Sequence, residues 1–252
     1  MVDRLAATAA GRTGRRVLIA IPAYNEAPTI EAVVSGVRSA IPEFDLLIVN
    51  DGSRDGTETI LQRMGQPTAT HLCNLGYGRA VQTAIKYADR RGYDALITLD
   101  ADGQHRPDDI RSVYRQYESD EYDLLIGSRF VTSRRYDSEP AVRRTGMRLF
   151  SALIALLTGR RVYDTSSGMK VINRRVFDML ASRPFVDFHA EAIVYLLENG
   201  YRVGESPITV DQRTHGTSMY TALSAIKYPV KVVFLIFLGV IEARFMRGAR
   251  RV

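Results

Sequence analysis

The chain has 252 residues, 46% hydrophobic and 25% charged, with a formal net charge of +6. That length supports one large domain, alone or with an appendage, and the charge favours an anionic partner. The single cysteine, Cys73, excludes a disulfide framework and Cys-rich zinc sites and agrees with a reducing cytoplasm.

The first fifteen residues are small, polar and basic, without the apolar stretch of a signal peptide, and read as a loose tail. No run of about eighteen uninterrupted apolar residues occurs, so no ordinary transmembrane helix is predicted. Val17 to Ile21 reads as a buried strand closed by the loop Pro22-Ala23-Tyr24-Asn25-Glu26. Pro28 suits the start of a helix to about Ala40. Phe44 to Val49 reads as a second strand, followed by the capping-rich turn Asn50-Asp51-Gly52-Ser53-Arg54-Asp55-Gly56-Thr57 and a helix to about Met64. Thr70 to Cys73 reads as a short strand, and Asn74-Leu75-Gly76-Tyr77-Gly78-Arg79 leads into a helix to about Arg90. The Gly76-x-Gly78 pair lacks the third glycine of the dinucleotide fingerprint, and there is no Walker lysine loop.

The chain centres on Leu96 to Leu99, an apolar strand that runs into Asp100, Asp102 and Gly103. In an extended chain residues i and i+2 share a side, so the two carboxylates are expected to project together. Like charges so close call for a cation. Mg²⁺ or Mn²⁺ suits oxygen ligands of this kind and commonly bridges to substrate phosphates. Gln104 and His105 follow as further candidate ligands.

Pro107 starts a helix to about Glu118, and Leu124 to Ile126 reads as a strand ending in Gly127-Ser128-Arg129. An arginine-heavy segment follows, with Arg134, Arg135, Arg143, Arg144 and Arg148, and a helix is expected over Val142 to Leu157. Guanidinium groups suit bidentate phosphate contacts, and Arg129, at a strand end, is the first candidate. Asp164 to Gly168 precedes a strand at Met169 to Ile172 and a helix from Arg174 to Leu180. Asp187-Phe188-His189-Ala190-Glu191 opens a further helix and offers His189 and Glu191 as acid/base candidates. Tyr201 to Val210 reads as a strand and Gln212 to Met219 as a polar loop carrying Arg213 and His215. Alternating strands and helices argue for a mostly parallel, mixed α/β sheet flanked by helices, with ligands at the carboxyl ends of the strands. Asn25, Asp51, Gly76 and Asp102 all fall there.

Val232 to Ile241 is apolar throughout, with Lys227, Lys231, Arg244, Arg247, Arg250 and Arg251 around it. As a helix it spans roughly 15 Å, about half a hydrocarbon core. It is expected to lie in a membrane interface or to dock on a membrane partner. The chain then divides into a basic tail (1–15), a domain (16–219) and a C-terminal associating segment (220–252).

The blocks Ile21 to Glu26, Asn50 to Thr57, Asn74 to Gly78 and Asp100-Ala101-Asp102-Gly103-Gln104-His105 occur in the order seen in family 2 glycosyltransferases of the GT-A fold, which the chain resembles. Gly127-Ser128-Arg129, Ser167-Gly168-Met169, Glu191, Glu205-Ser206-Pro207-Ile208 and Arg213-x-x-Gly216-x-Ser218 resemble the polyprenyl-phosphate (dolichol-phosphate) hexosyltransferase branch. Departures are Asn50, where an Asp is common, Gly103, where an apolar residue is frequent, and Met219, where a Lys often follows the Ser.

The resemblance implies a UDP- or GDP-sugar donor in a pocket of Pro22, Ala23, Tyr24, Glu26, Asp51, Gly76 and Asp100. It implies Mg²⁺ or Mn²⁺ on Asp100, Asp102 and Gln104, with Asp102, Arg129 and Glu191 at the chemistry. Arg143, Arg144, Arg213 and Ser218 would hold the acceptor phosphate. A phosphate acceptor, already an anion, needs no strong base, since its second pKa is about 6. A hydroxyl acceptor would need Glu191 or His189 as one. The resemblance places the enzyme on the cytoplasmic face of the membrane, attached directly or through a small membrane protein, and allows a homo-oligomer. The alternatives are a family 2 transferase acting on a saccharide or other hydroxyl acceptor, or a silent nucleotide-sugar scaffold. A nucleic-acid partner is not expected, because the basic clusters lack an aromatic platform.

Overall fold

The computed structural model describes residues 14–133, 141–183, 185, 188–210 and 222–249, without the side chains of 141–143, 222–228 and 246–249. Seven strands are present: β1 (Val17–Ala23), β2 (Asp45–Asn50), β3 (Thr68–Thr70), β4 (Ala95–Thr98), β5 (Leu124–Ser128), β6 (Lys170–Asn173) and β7 (Val203–Pro207). They form one sheet in the order β3-β2-β1-β4-β6-β5-β7. Neighbours run parallel except β6, which is antiparallel to both β4 and β5. Around it lie α1 (Ile30–Ala40), α2 (Thr57–Arg63), α3 (Tyr77–Arg90), α4 (Pro107–Asp120), α5 (Ala141–Thr158), α6 (Phe177–Ser182), α7 (Ala190–Glu198) and α8 (Ala222–Ala249). The mixed α/β sheet expected from the sequence is the one observed.

β1 is apolar on both faces because both are covered. Leu18 and Ala20 enter one core layer with Ala80, Val81, Ala84 and Ile85 of α3. Ile19 and Ile21 enter the other with Ile30 and Val34 of α1 and Ile110 of α4.

Several boundaries shift for identifiable reasons. β1 continues through Pro22 to Ala23, paired with β2, while pairing with β4 ends at Ala20. Pro22, two residues on, turns its missing N–H to the side where β4 has already stopped. β3 ends at Thr70, short of Cys73, because the following residue, His71, turns to bond Asp51 and Thr83. β4 ends at Thr98, so Asp100 lies just past the strand and Asp102 in the turn that follows, not in one extended segment as the spacing suggested. β7 stops at Pro207, and Val210 returns only as a single bridge to His105.

The C-terminal helix also differs from a purely interfacial segment. α8 runs 28 residues with Pro229 inside it, and packs on α7 and α5. Val232, Ile236, Val240 and Ala243 are buried in the domain core, and Leu235 is buried as well. Val230, Phe234, Phe237, Leu238, Ile241 and Phe245 remain exposed, with Leu149 and Leu156 of α5. Among the described residues no helix is long and apolar enough to cross a membrane.

Candidate active site

The strand ends meet at three clusters. The first joins the loops after β1, β2 and β3. Asn25, in the left-handed region at φ 56°, donates its N–H to Ser53 Oγ and accepts Arg54 N–H on Oδ1. Glu26 N–H goes to Thr57 Oγ1, and Ala27 N–H to Asp55 Oδ2. Burial pushes Asp55 up, but hydrogen bonds from the Thr57 hydroxyl and the backbone of Ala27 and Thr57 outweigh it and hold the carboxyl below its ordinary range. The polar residues of these blocks thus stitch one loop to the other. Pro22 and Ala23 are strand residues, Tyr24 stands exposed on the rim, and Glu26 accepts the Thr29 hydroxyl.

Asp51 is almost fully buried and is the keystone of this cluster. Its Oδ1 meets Leu75 N–H at 2.9 Å and His71 Nδ1 at 2.7 Å, and its Oδ2 accepts Gly76 N–H at 2.8 Å. His71 Nε2 lies 2.9 Å from Thr83 Oγ1 on α3. Gly52, at φ 70°, lets the two loops touch; a Cβ there would come within 2.5 Å of the Cys73 carbonyl carbon. Asp51 and Gly76, both expected at the nucleotide, therefore bond to each other. A carboxylate has about four acceptor sites, and these contacts engage three of them.

The second cluster is central. The Asp100 side chain keeps 39% of its surface open. Burial pushes its pKa up, but His105, followed by His189 and Lys170, overrides this and holds it below the carboxylate range. Asp102 Oδ1 accepts Gln104 N–H at 3.1 Å, closing the turn. Among the described residues no three His, Cys, Asp or Glu gather as a metal cage. Two carboxylates and an amide oxygen fit a hard cation that completes its shell with water and phosphate. Sequence reasoning missed Lys170, which looks like one polar residue in an apolar strand. Because β6 runs backwards, its first residue lies level with Thr98 and Ile126, beside the strand ends of β4 and β5.

The third cluster surrounds Arg129, just past β5. Its Nε and Nη2 grip Asp164 at 2.7 and 2.8 Å, and Nη2 also meets Ser166 Oγ at 3.0 Å. Asp164 is fully buried; burial raises its pKa, but the Arg129 guanidinium outweighs this and holds it ionised. Glu205 accepts the backbone N–H of Tyr163 and Asp164, both at 2.8 Å, fixing the loop that carries Asp164. Burial pushes Glu205 itself up. Neither Asp164 nor Glu205 was assigned a role from the sequence.

Glu191 is placed differently from an open base. Its side chain is 2% exposed and pairs with Arg183 Nη2 at 3.3 Å, which also holds Glu242 of α8 at 2.6 Å. Arg183 in turn lies against the rings of Phe185 and Tyr195. This burial favours a role at the α7–α8 junction. Arg144 is half-buried in the first turn of α5, where Arg143 also sits. Arg213 and Ser218 lie outside the described residues.

Against known proteins, the model of glycosyl transferase family 2 matches residues 18–180. The chain is 29% identical over 218 residues to polyprenol monophosphomannose synthase of Mycolicibacterium smegmatis, covering 82% of each. It is 29% identical over 212 residues to UDP-N-acetylglucosamine–dolichyl-phosphate N-acetylglucosaminyltransferase of Methanococcus voltae, covering 76% of this chain and 84% of that one. Its fold is similar to glucosyl-3-phosphoglycerate synthase from Mycobacterium tuberculosis, solved with Mn²⁺, UDP-glucose and phosphoglyceric acid. The TM-score is 0.66 at 18% identity, over 95% of this chain and 84% of that one. The fold is GT-A.

Proposed function

The chain belongs to glycosyl transferase family 2, and on that footing we propose that it moves a hexose from a nucleoside-diphosphate sugar to a polyprenyl phosphate, with inversion, at the inner face of the membrane. The observation that carries this reading is the segment after β4, which carries Asp100, Asp102 and Gln104 at the strand end and is closed by Asp102 Oδ1 accepting Gln104 N–H. The relatives' names support a polyprenyl-type phosphate acceptor. Their sugars differ, so the hexose is left to assay.

The loops tied together through Asp51, with Pro22, Ala23, Tyr24, Glu26 and Gly76, would seat the nucleoside. Asp100, Asp102 and Gln104 would hold Mg²⁺ or Mn²⁺, which when bound neutralises charge on the leaving diphosphate. Arg129, held in place by its pair with Asp164, would assist the leaving diphosphate from the next strand end. Arg143 and Arg144 on α5, with Arg213 and Ser218, would bring the acceptor phosphate to C1 of the sugar. A phosphate oxygen then bonds to C1, and the C1–O bond to the donor leaves with its electron pair on the diphosphate. No proton has to move, because the acceptor phosphate is already ionised. The buried pairing of Glu191 suits this reading better than a hydroxyl acceptor.

The exposed face of α8 meets the lipid in this proposal. Phe234, Phe237, Ile241 and Phe245 stand out from the domain, flanked by exposed Lys231 and Arg244. Apolar side chains beside cations suit an anionic membrane surface.

The test is transfer from a panel of UDP-, GDP- and dTDP-sugars to polyprenyl phosphate and, in parallel, to the free polyprenol. Glycolipid from the phosphate alone is expected. Transfer to the polyprenol, or to neither, would overturn the proposal.

A further inference from the structure

Lys170 is a fully buried charged side chain at the crevice that the reaction does not use. It has no accessible surface. Its Nζ donates to the Ser167 carbonyl and lies 3.2 Å from Nδ1 of His189. The carboxylates of Asp100 and Asp164 both feel its charge. An ammonium carries three protons and no lone pair. Facing it, Nδ1 of His189 has to offer a lone pair, which puts the imidazole proton on Nε2. An imidazolium would set one N–H against another and is disfavoured by the same contact.

The ring is held from a second side. It stacks on Tyr77 with centroids 4.8 Å apart and planes 13° from parallel. Tyr77 is the first residue of α3, directly after the loop that Asp51 anchors. One restraint therefore comes from the β6 side of the crevice and the other from the β3 side.

We propose that Lys170 is a positioning residue that fixes His189 as a neutral hydrogen-bond donor through Nε2, directed to a phosphate oxygen of donor or acceptor, and so withdraws it as a general base. Taking a proton at Nε2 would force the other proton toward the ammonium. The acceptor must then arrive deprotonated, as a phosphate does. This assignment of a ligand rests on the transferase reading, whereas the Lys170–His189 relationship does not.

Two measurements on the full chain test it. Nitrogen-15 imidazole spectra of the unmodified protein should show His189 as the Nε2–H tautomer at neutral pH, and Lys170→Met should release that preference. For activity, His189→Gln, which retains an N–H at similar reach, should stay within about tenfold of the parent. His189→Phe, which stacks but cannot donate, should lose about 10² to 10³, the usual worth of one oxyanion donor. An Nδ1–H tautomer or an imidazolium in the unmodified protein overturns the proposal, and so does a Gln variant as impaired as the Phe variant. If the protein transfers no sugar at all, the transferase reading fails, and the spectra still decide the tautomer.

Discussion

Gly168 lies flat against the carboxylate of Asp100: a Cβ built on it would come within 2.1 Å of the carboxyl carbon and of Oδ2. Thr98 pins this arrangement from the neighbouring strand, its hydroxyl donating to the Gly168 carbonyl at 2.7 Å. The glycine is required for space, since its backbone is not in the left-handed region.

Gly168→Ala should therefore displace Asp100 while leaving the fold intact. Transfer should fall by about 10²-fold, the scale expected for a misplacement of about 1 Å at a reacting centre. Transfer rates beside the thermal midpoint check this, and an unchanged rate would show that Asp100 has no need of its seat.

Asp164 should govern part of the acid sensitivity. Its folded pKa lies below the ordinary 3.8 because Arg129 grips the ionised form. A depressed carboxyl contributes stability above its unfolded value and loses it as pH falls through the folded one. Asp164→Asn should cost about 3 kcal/mol near neutrality, as breaking a buried pair does. It should also flatten the fall in stability below about pH 4. Urea unfolding across the acid range reads both effects.

Arg183→Met should destabilise by about 3–5 kcal/mol, since it strands the buried Glu191 carboxylate. Glu191→Gln, by contrast, should keep transfer to polyprenyl phosphate within about tenfold. A loss of 10² to 10⁴ with intact stability would restore Glu191 as a base.

Phe234→Asp with Ile241→Asp should reduce binding to anionic vesicles at least tenfold, because each side chain forfeits about 1.5–3 kcal/mol of apolar burial. Activity on a short, water-soluble polyprenyl phosphate should be unchanged. Vesicle binding equal to the parent would send α8 to a protein partner instead.

The strands and helices were legible because their apolar periodicity is strong: β1 and α3 fall within two residues of where the pattern puts them. The strand-end motifs were legible as well. What their polar residues do locally was not. Glu26 reads as a ligand and Asn25 as a residue of the crevice, but Asn25 and Asp55 tie one loop to the other and the Glu26 carboxylate accepts the Thr29 hydroxyl. Lys170 and Asp164 were missed because their roles depend on β6 running backwards and on a partner 35 residues away. The face of α8 that packs on α7 was hidden for a related reason. The segment is apolar all round, so periodicity cannot say which side is buried.

The central claim is that the turn after β4 drives sugar transfer to a lipid phosphate. Glycolipid formation from nucleotide sugar and polyprenyl phosphate, with Mn²⁺ present, should be compared between the parent and Asp102→Asn. The account predicts product from the parent and a loss of at least about 10²-fold in the variant, the scale of a removed electrostatic contact at the reacting centre. Equal rates from a folded variant would contradict it.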